Sequence, residues 1–169
     1  HLANTDALTQ LLNRRAFEAV LKQKLAAQVR KPQSMALVLI DVDFFKRIND
    51  EFGHAQGDKV LQQISHELQR SVRASDAMAR WGGEEFIILL DNCPHDELTA
   101  LCGRWRAAIA EFDFALPRQA QVTISMGVAE LRTGETDVEF FHRADQLLYA
   151  AKSAGRNCVV VNEQEARRV

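Results

Sequence analysis

The chain has 169 residues, 47% hydrophobic and 26% charged, with a formal net charge of −2. That is ordinary globular composition for one domain with a sizeable core. The near-neutral charge argues against broad attraction to nucleic-acid polymers or membrane surfaces, and neither a membrane span nor a secretory signal is visible. The three cysteines, Cys93, Cys102 and Cys158, fit no disulfide framework and no zinc spacing, so they are expected as reduced, mostly buried thiols of a cytoplasmic protein.

The elements follow in chain order. Leu8, Leu11 and Leu12 share a face, and Asn13 is placed to cap a helix from about Arg14 to Val29 with Phe17, Val20, Leu21 and Leu25 on its buried stripe. Lys31-Pro32 ends it. Met35 to Ile40 is apolar on both faces, which predicts a central strand covered on both sides. Asp41-Val42-Asp43 closes that strand and leads into a short helix ending near Phe52-Gly53, whose N-terminus would offer free N–H groups at Phe44 and Phe45. Asp43 reads as its cap, and the two rings read as core.

Gly57-Asp58 reads as the opening of the next helix, with Val60, Leu61, Ile64, Leu68 and Val72 buried. Gly82-Gly83 then marks a hairpin, because paired glycines supply the positive φ of tight turns. Glu84 and Glu85 follow at the mouth of the apolar run Phe86–Leu90. If this strand neighbours the one ending in Asp41, three or four carboxylates converge and repel one another unless a hard cation such as Mg²⁺ joins them.

After Pro94, a stripe of Leu98, Leu101, Trp105, Ile109 and Phe112 predicts a helix. Val122, Ile124, Met126 and Val128 alternate with Thr123, Ser125 and Gly127, predicting a strand with one buried face. Thr136 and Glu139 form a capping box for a helix carrying Phe140, Phe141, Ala144, Leu147, Leu148 and Ala151, with Gly155 at its C′ position. Cys158 to Val161 reads as a last short strand.

Arg80-Trp81-Gly82-Gly83-Glu84-Glu85-Phe86 resembles the signature of the GGDEF family, the diguanylate cyclases, in its GGEEF form. Four further motifs match in order: Asp6 to Arg14, Asp41 to Asp50, Phe52 to Asp58, and the C-terminal group Arg143-Ala144-Asp145, Tyr149 to Lys152 and Gly155-Arg156-Asn157. Trp81 stands where the family more often has tyrosine.

The resemblance implies an α+β fold with the β-α-β-β-α-β core of nucleotidyl cyclases and polymerase palms, a mostly antiparallel central sheet flanked by helices. It implies residues 1–169 as a single catalytic domain, with an upstream regulatory domain in a longer chain. It implies condensation of two GTP into cyclic di-GMP with release of two pyrophosphates, in a homodimer holding one GTP per subunit. Asp41, Glu84 and the Val42 carbonyl would ligate Mg²⁺, two ions per site, with Mn²⁺ as an alternative. Glu84 would also accept the proton, with Glu85 assisting, and the division of labour between them stays open. Phe44 and Phe45 would contact phosphate through backbone N–H groups and Lys152 and Arg156 through their charges, while Lys46 would be catalytic, stabilising charge that develops on the transferring phosphate. Asn49 and Asp58 match the guanine contacts, while His54 in the same segment is as readily structural as substrate-binding. Arg73, Asp76 and Arg104 match an inhibitory site for the product. A non-catalytic nucleotide sensor is the competing reading, disfavoured because Asp41, Lys46, Glu84, Lys152 and Arg156 are all present.

Overall fold

The computed structural model describes residues 3–162. Five strands, β1 (Met35–Val42), β2 (Ala77–Arg80), β3 (Glu85–Asp91), β4 (Ile124–Glu130) and β5 (Val159–Val161), form one sheet in the order β2-β3-β1-β4-β5. Every pairing is antiparallel except β4 with β5. The helices are α1 (Arg14–Gln28), α2 (Phe45–Phe52), α3 (His54–Gln69), α4 (His95–Glu111) and α5 (Asp137–Ser153). The predicted order of elements and the α+β class hold, as does the β-α-β-β-α-β core.

β1 explains the architecture. All eight of its residues are buried. Ala36, Val38, Ile40 and Val42 pack into a core shared with α2, α3 and α4, while Met35, Leu37 and Leu39 pack into a second core shared with α1 and α5. An unbroken apolar run is what a strand buried on both faces requires. Each fully buried Leu, Ile or Val there contributes about 1.5–3 kcal/mol.

β4 departs from the expectation of one buried face. Six of its seven residues are buried, including Ser125 at 0% exposure. The alternation of large and small residues reflects close packing on the second face. A Cβ at Gly127 would lie 2.1 Å from the Leu148 backbone nitrogen, so only glycine lets α5 rest directly on the strand. α5 itself begins with the predicted capping box, Thr136 accepting from the Glu139 N–H and Glu139 from the Thr136 N–H. It ends at a C′ glycine, Gly155, with φ 109°.

The N-terminal motif closes the edge of the sheet. Asp6 accepts from the Thr9 amide at 2.8 Å and the Thr9 hydroxyl at 2.7 Å, folding a tight loop. Leu12 then pairs with β2, donating to the Met78 carbonyl and accepting from the Arg80 N–H. That covers an otherwise open strand edge. Asn13 caps α1 as expected, its side chain accepting from the Ala16 N–H. All three cysteines are reduced and buried, and the Cys158 thiol donates to the Ala151 carbonyl at 3.3 Å. Among the described residues no helix is long and apolar enough to cross a membrane.

Candidate active site

The two central strands bring the acids together. In the antiparallel register of β1 and β3, Asp41 stands opposite Glu85, and the Val42 N–H donates to the Glu84 carbonyl at 3.1 Å. Asp41 is 7% exposed, and Glu84 and Glu85 are partly buried. Lys152, in the last turn of α5, reaches across to donate to Asp41 at 2.7 Å. Burial pushes the Asp41 carboxyl above its ordinary value, more than the Lys152 ammonium pulls it back. Glu85 is raised too, first by burial and then by the Asp41 charge.

The turn carrying Glu84 differs from the tight hairpin expected. Neither Gly82 nor Gly83 has a positive φ. The connection is longer: the Trp81 N–H reaches the Glu85 carbonyl at 2.8 Å, and the Arg80 guanidinium holds the Gly83 carbonyl at 2.8 Å. A longer loop does not need the mirror-image turns of two-residue hairpins. A Cβ at Gly82 would lie 2.8 Å from a Glu85 carboxylate oxygen, the movable end of a flexible side chain, so the crowding there is mild. Arg80 also pairs with Asp6 at 3.3 Å, tying the loop to the N-terminal motif. Trp81 is wedged between Phe17 and Phe141, with the Arg14 guanidinium 4.3 Å from its ring. Reading Arg80 only as part of a signature missed this anchoring role, which rests on contacts far apart in the chain.

Asp43 does not cap α2. It is 4% exposed and accepts from the Ser125 hydroxyl at 2.6 Å, the Thr123 hydroxyl at 2.8 Å and the Asn157 N–H at 3.0 Å. The carboxylate thus binds the end of β1 to β4 and to the loop after α5. The polar residues alternating along β4 were the signal for it.

The N-cap of α2 is Phe44, which provides no side-chain capping bond. Among the described residues no acceptor is bonded to the N–H groups of Phe44, Phe45 or Lys46, leaving an open anion-binding end. Phe45 is buried as core, but the Phe44 ring is 49% exposed, so the expectation that both rings are core fails for Phe44. Lys46 is exposed beside it. Arg156 lies beyond the end of α5 with φ 64°, its guanidinium 4.8 Å from the Phe44 ring.

α3 begins at His54, earlier than the expected Gly57-Asp58. α2 and α3 share the single residue Gly53, at φ 89°, as C-cap of one and N-cap of the other. Gly57 is buried inside the first turns, where a Cβ would fall 1.9 Å from the Asn49 side-chain oxygen. Asn49 is therefore laid against the start of α3, next to the exposed Asp58, and His54 is exposed at the same corner.

The second expected cluster also assembles. Asp76 accepts from the Arg73 N–H and the Asp91 N–H, each at 2.9 Å, and the Arg73 guanidinium donates to the Asp91 carbonyl. Arg73, Asp76 and Arg104 line one cavity of about 510 Å³. It sits at the opposite end of β3 from Glu85, about 20 Å away by strand rise.

The donor set at Asp41 and Glu84 suits a hard divalent cation: partly buried carboxylate oxygens whose charges both act on the neighbouring Glu85. Among the described residues no three His, Cys, Asp or Glu side chains gather closely enough to hold a metal ion, so the expected convergence of three or four carboxylates is not met. A bound metal would have to complete its sphere with backbone, water or substrate oxygens, as Mg²⁺ commonly does.

The frame defines the class: an α+β domain whose two central strands end in acids beside an uncapped helix N-terminus. The diguanylate cyclase GGDEF domain is the family whose model matches, over residues 3–158, and the chain belongs to that family. The chain is 44% identical over 156 residues to diguanylate cyclase DgcP of Pseudomonas aeruginosa, covering 92% of this chain and 23% of that protein. It is 41% identical over 161 residues to diguanylate cyclase DgcM of Escherichia coli K12, covering 95% of this chain and 38% of that protein. It thus spans well under half the length of these relatives. Among solved structures, the coiled coil and GGDEF domain of DgcB from Caulobacter crescentus, in complex with c-di-GMP, aligns with a TM-score of 0.90 at 31% identity, over 95% of this chain and 86% of that one. Enzymes of the family use divalent metals.

Proposed function

We propose that this domain is a diguanylate cyclase, condensing two GTP into cyclic di-GMP with release of two pyrophosphates. The observation that carries the reading is the register of β1 and β3, which sets Asp41 against Glu85 and abuts Glu84 beside the open N-terminus of α2. Asp41, Glu84 and the Val42 carbonyl would hold Mg²⁺, two ions per site, with Mn²⁺ as a substitute. A metal bound there supplies Lewis-acid activation of the attacking hydroxyl and neutralises charge on the leaving pyrophosphate.

The chain's own groups supply the rest. The N–H groups of Phe44 and Phe45 and the Lys46 ammonium receive the phosphates, and Lys152 exchanges Asp41 for phosphate oxygens when substrate arrives. Asp58 and Asn49 take the guanine edge, whose ring N–H and exocyclic amine are both donors. Glu84, aided by Glu85, accepts the proton of the 3′-hydroxyl as its oxygen bonds to the α-phosphorus of the second GTP and pyrophosphate departs. Each chain carries one such cluster and the product has two equivalent halves, so two chains meet with two-fold symmetry. The cavity of Arg73, Asp76 and Arg104 takes the product, whose phosphates and guanines suit arginine forks.

Glu84→Gln tests the assignment, since it removes the charge and the base but keeps the shape. Pyrophosphate release should fall by at least about a hundredfold with the circular dichroism spectrum unchanged. Near-normal turnover would overturn the assignment.

A further inference from the structure

Phe44 is anomalous in two ways at once. Its backbone is in the left-handed region, φ 54° and ψ 34°, which a bulky side chain rarely adopts. Its ring is 49% exposed although the neighbouring Phe45 ring is buried at 8%. Both features oppose stability, so something must hold the residue there, and such outliers concentrate where geometry serves function.

Two arginines hold it. The Arg47 guanidinium lies 4.4 Å from the ring centroid and the Arg156 guanidinium 4.8 Å. Arg47 comes from the first turn of α2, and Arg156 from the loop after α5, where it too has a positive φ. Among the described residues neither guanidinium forms an ion pair or donates a side-chain hydrogen bond. A guanidinium resting on an aromatic ring is fixed in orientation while its N–H edge stays free, which is the arrangement a bidentate phosphate contact needs. The unbonded N–H groups of α2 and the Lys46 side chain belong to the same corner.

We infer that the Phe44 ring is a positioning platform that orders Arg47 and Arg156 for the substrate's triphosphate, which makes Arg47 a further phosphate-binding residue. This rests on the nucleotide reading above and extends it to two side chains: the Phe44 ring, in addition to its backbone N–H, and Arg47. Ordering two rotamer-rich side chains before the ligand arrives removes part of the entropic cost of binding.

Calorimetric titration of guanosine monophosphate and GTP tests this, with wild type, Phe44→Leu, Phe44→Tyr, Arg47→Gln and the Phe44→Leu/Arg47→Gln double variant. Phe44 and Arg47 are exposed, so the variants should melt like wild type. Phe44→Leu and Arg47→Gln should each weaken GTP by about tenfold while leaving the monophosphate within about twofold. Phe44→Tyr keeps a ring and should bind GTP like wild type. The double variant should lose less than the sum of the two single losses, because both act through one contact. Equal weakening of both nucleotides, or a Phe44→Leu variant indistinguishable from wild type, would overturn the inference while leaving the cyclase reading intact. A wild type that binds neither nucleotide would overturn the nucleotide reading and this inference with it.

Discussion

Asp41 lies in β1 and Asp43 one residue past its end, and the two have different surroundings. Asp43 is engaged by two hydroxyls and an N–H from elsewhere in the fold, while the Asp41 carboxylate accepts from the Lys152 ammonium and feels the Arg156 charge. The sequence makes both conspicuous as carboxylates closing an apolar run, but the partners that separate them lie some eighty residues or more away: Asp43 is bonded to Thr123, Ser125 and Asn157 at separations of 80, 82 and 114. One glycine shows the same limit. Gly57 is legible as a glycine of a motif, yet what crowds it is the Asn49 side chain laid over it. The placement of Asn49 beside Asp58 gives a specificity prediction. A site that pairs with guanine leaves polar groups unmatched when adenine enters, at about 1–3 kcal/mol per lost partner. Competition binding should therefore show wild type preferring GTP over ATP, and Asp58→Ala losing most of that preference. Equal affinities in wild type would refute the base assignment.

Element boundaries were read to within a residue or so wherever apolar periodicity was strong, as in α1 and β1. The start of α3 was misplaced because Gly53 serves two helices at once, and Gly57 inside the helix looks like a boundary. The second face of β4 was misread because small and hydroxylated residues bury as readily as large ones when a helix or a carboxylate meets them. α5 depends on one further contact. Its Arg143 holds Glu135 through bonds of 2.6 and 2.7 Å and also donates to the Glu130 carbonyl, fastening the loop before the helix to the end of β4. Burial acts to raise the Glu135 carboxyl, but bonds from Arg143 and the Arg132 N–H outweigh it and hold the group below its ordinary 4.5. A depressed folded pKa means stability that is present above 4.5 and lost as pH falls through the lower folded value. Glu135→Gln should therefore melt lower than wild type at neutral pH, with the gap narrowing in acid. A gap independent of pH would mean that the pair adds nothing through charge.

At the scale of the whole molecule, β3 connects two candidate sites, with Glu84 and Glu85, the acids proposed as catalytic, at its start and the Arg73–Asp76 cluster at its end. At the proposed product site, cyclic di-GMP would either bridge two domains or stiffen the strand, and both would make inhibition non-competitive with GTP. At saturating GTP, added cyclic di-GMP should slow wild type but not Arg73→Ala, whose lost charge-assisted bonds lower product affinity by an order of magnitude or more. Relief by further GTP would make the cluster a surface ion pair only. The fold class, the family and the candidate residues of both clusters are legible because five motifs occur in order across the chain; the proposed dimer leaves no such mark, since a two-fold contact is written on surfaces rather than in spacing. The most direct test of the account is the product itself. The protein incubated with GTP and Mg²⁺, at a concentration high enough for two chains to meet, should yield cyclic di-GMP by mass, with two pyrophosphates released for each. Guanosine mono- or diphosphate as the only product, or no turnover at any protein concentration with the fold intact, would contradict it.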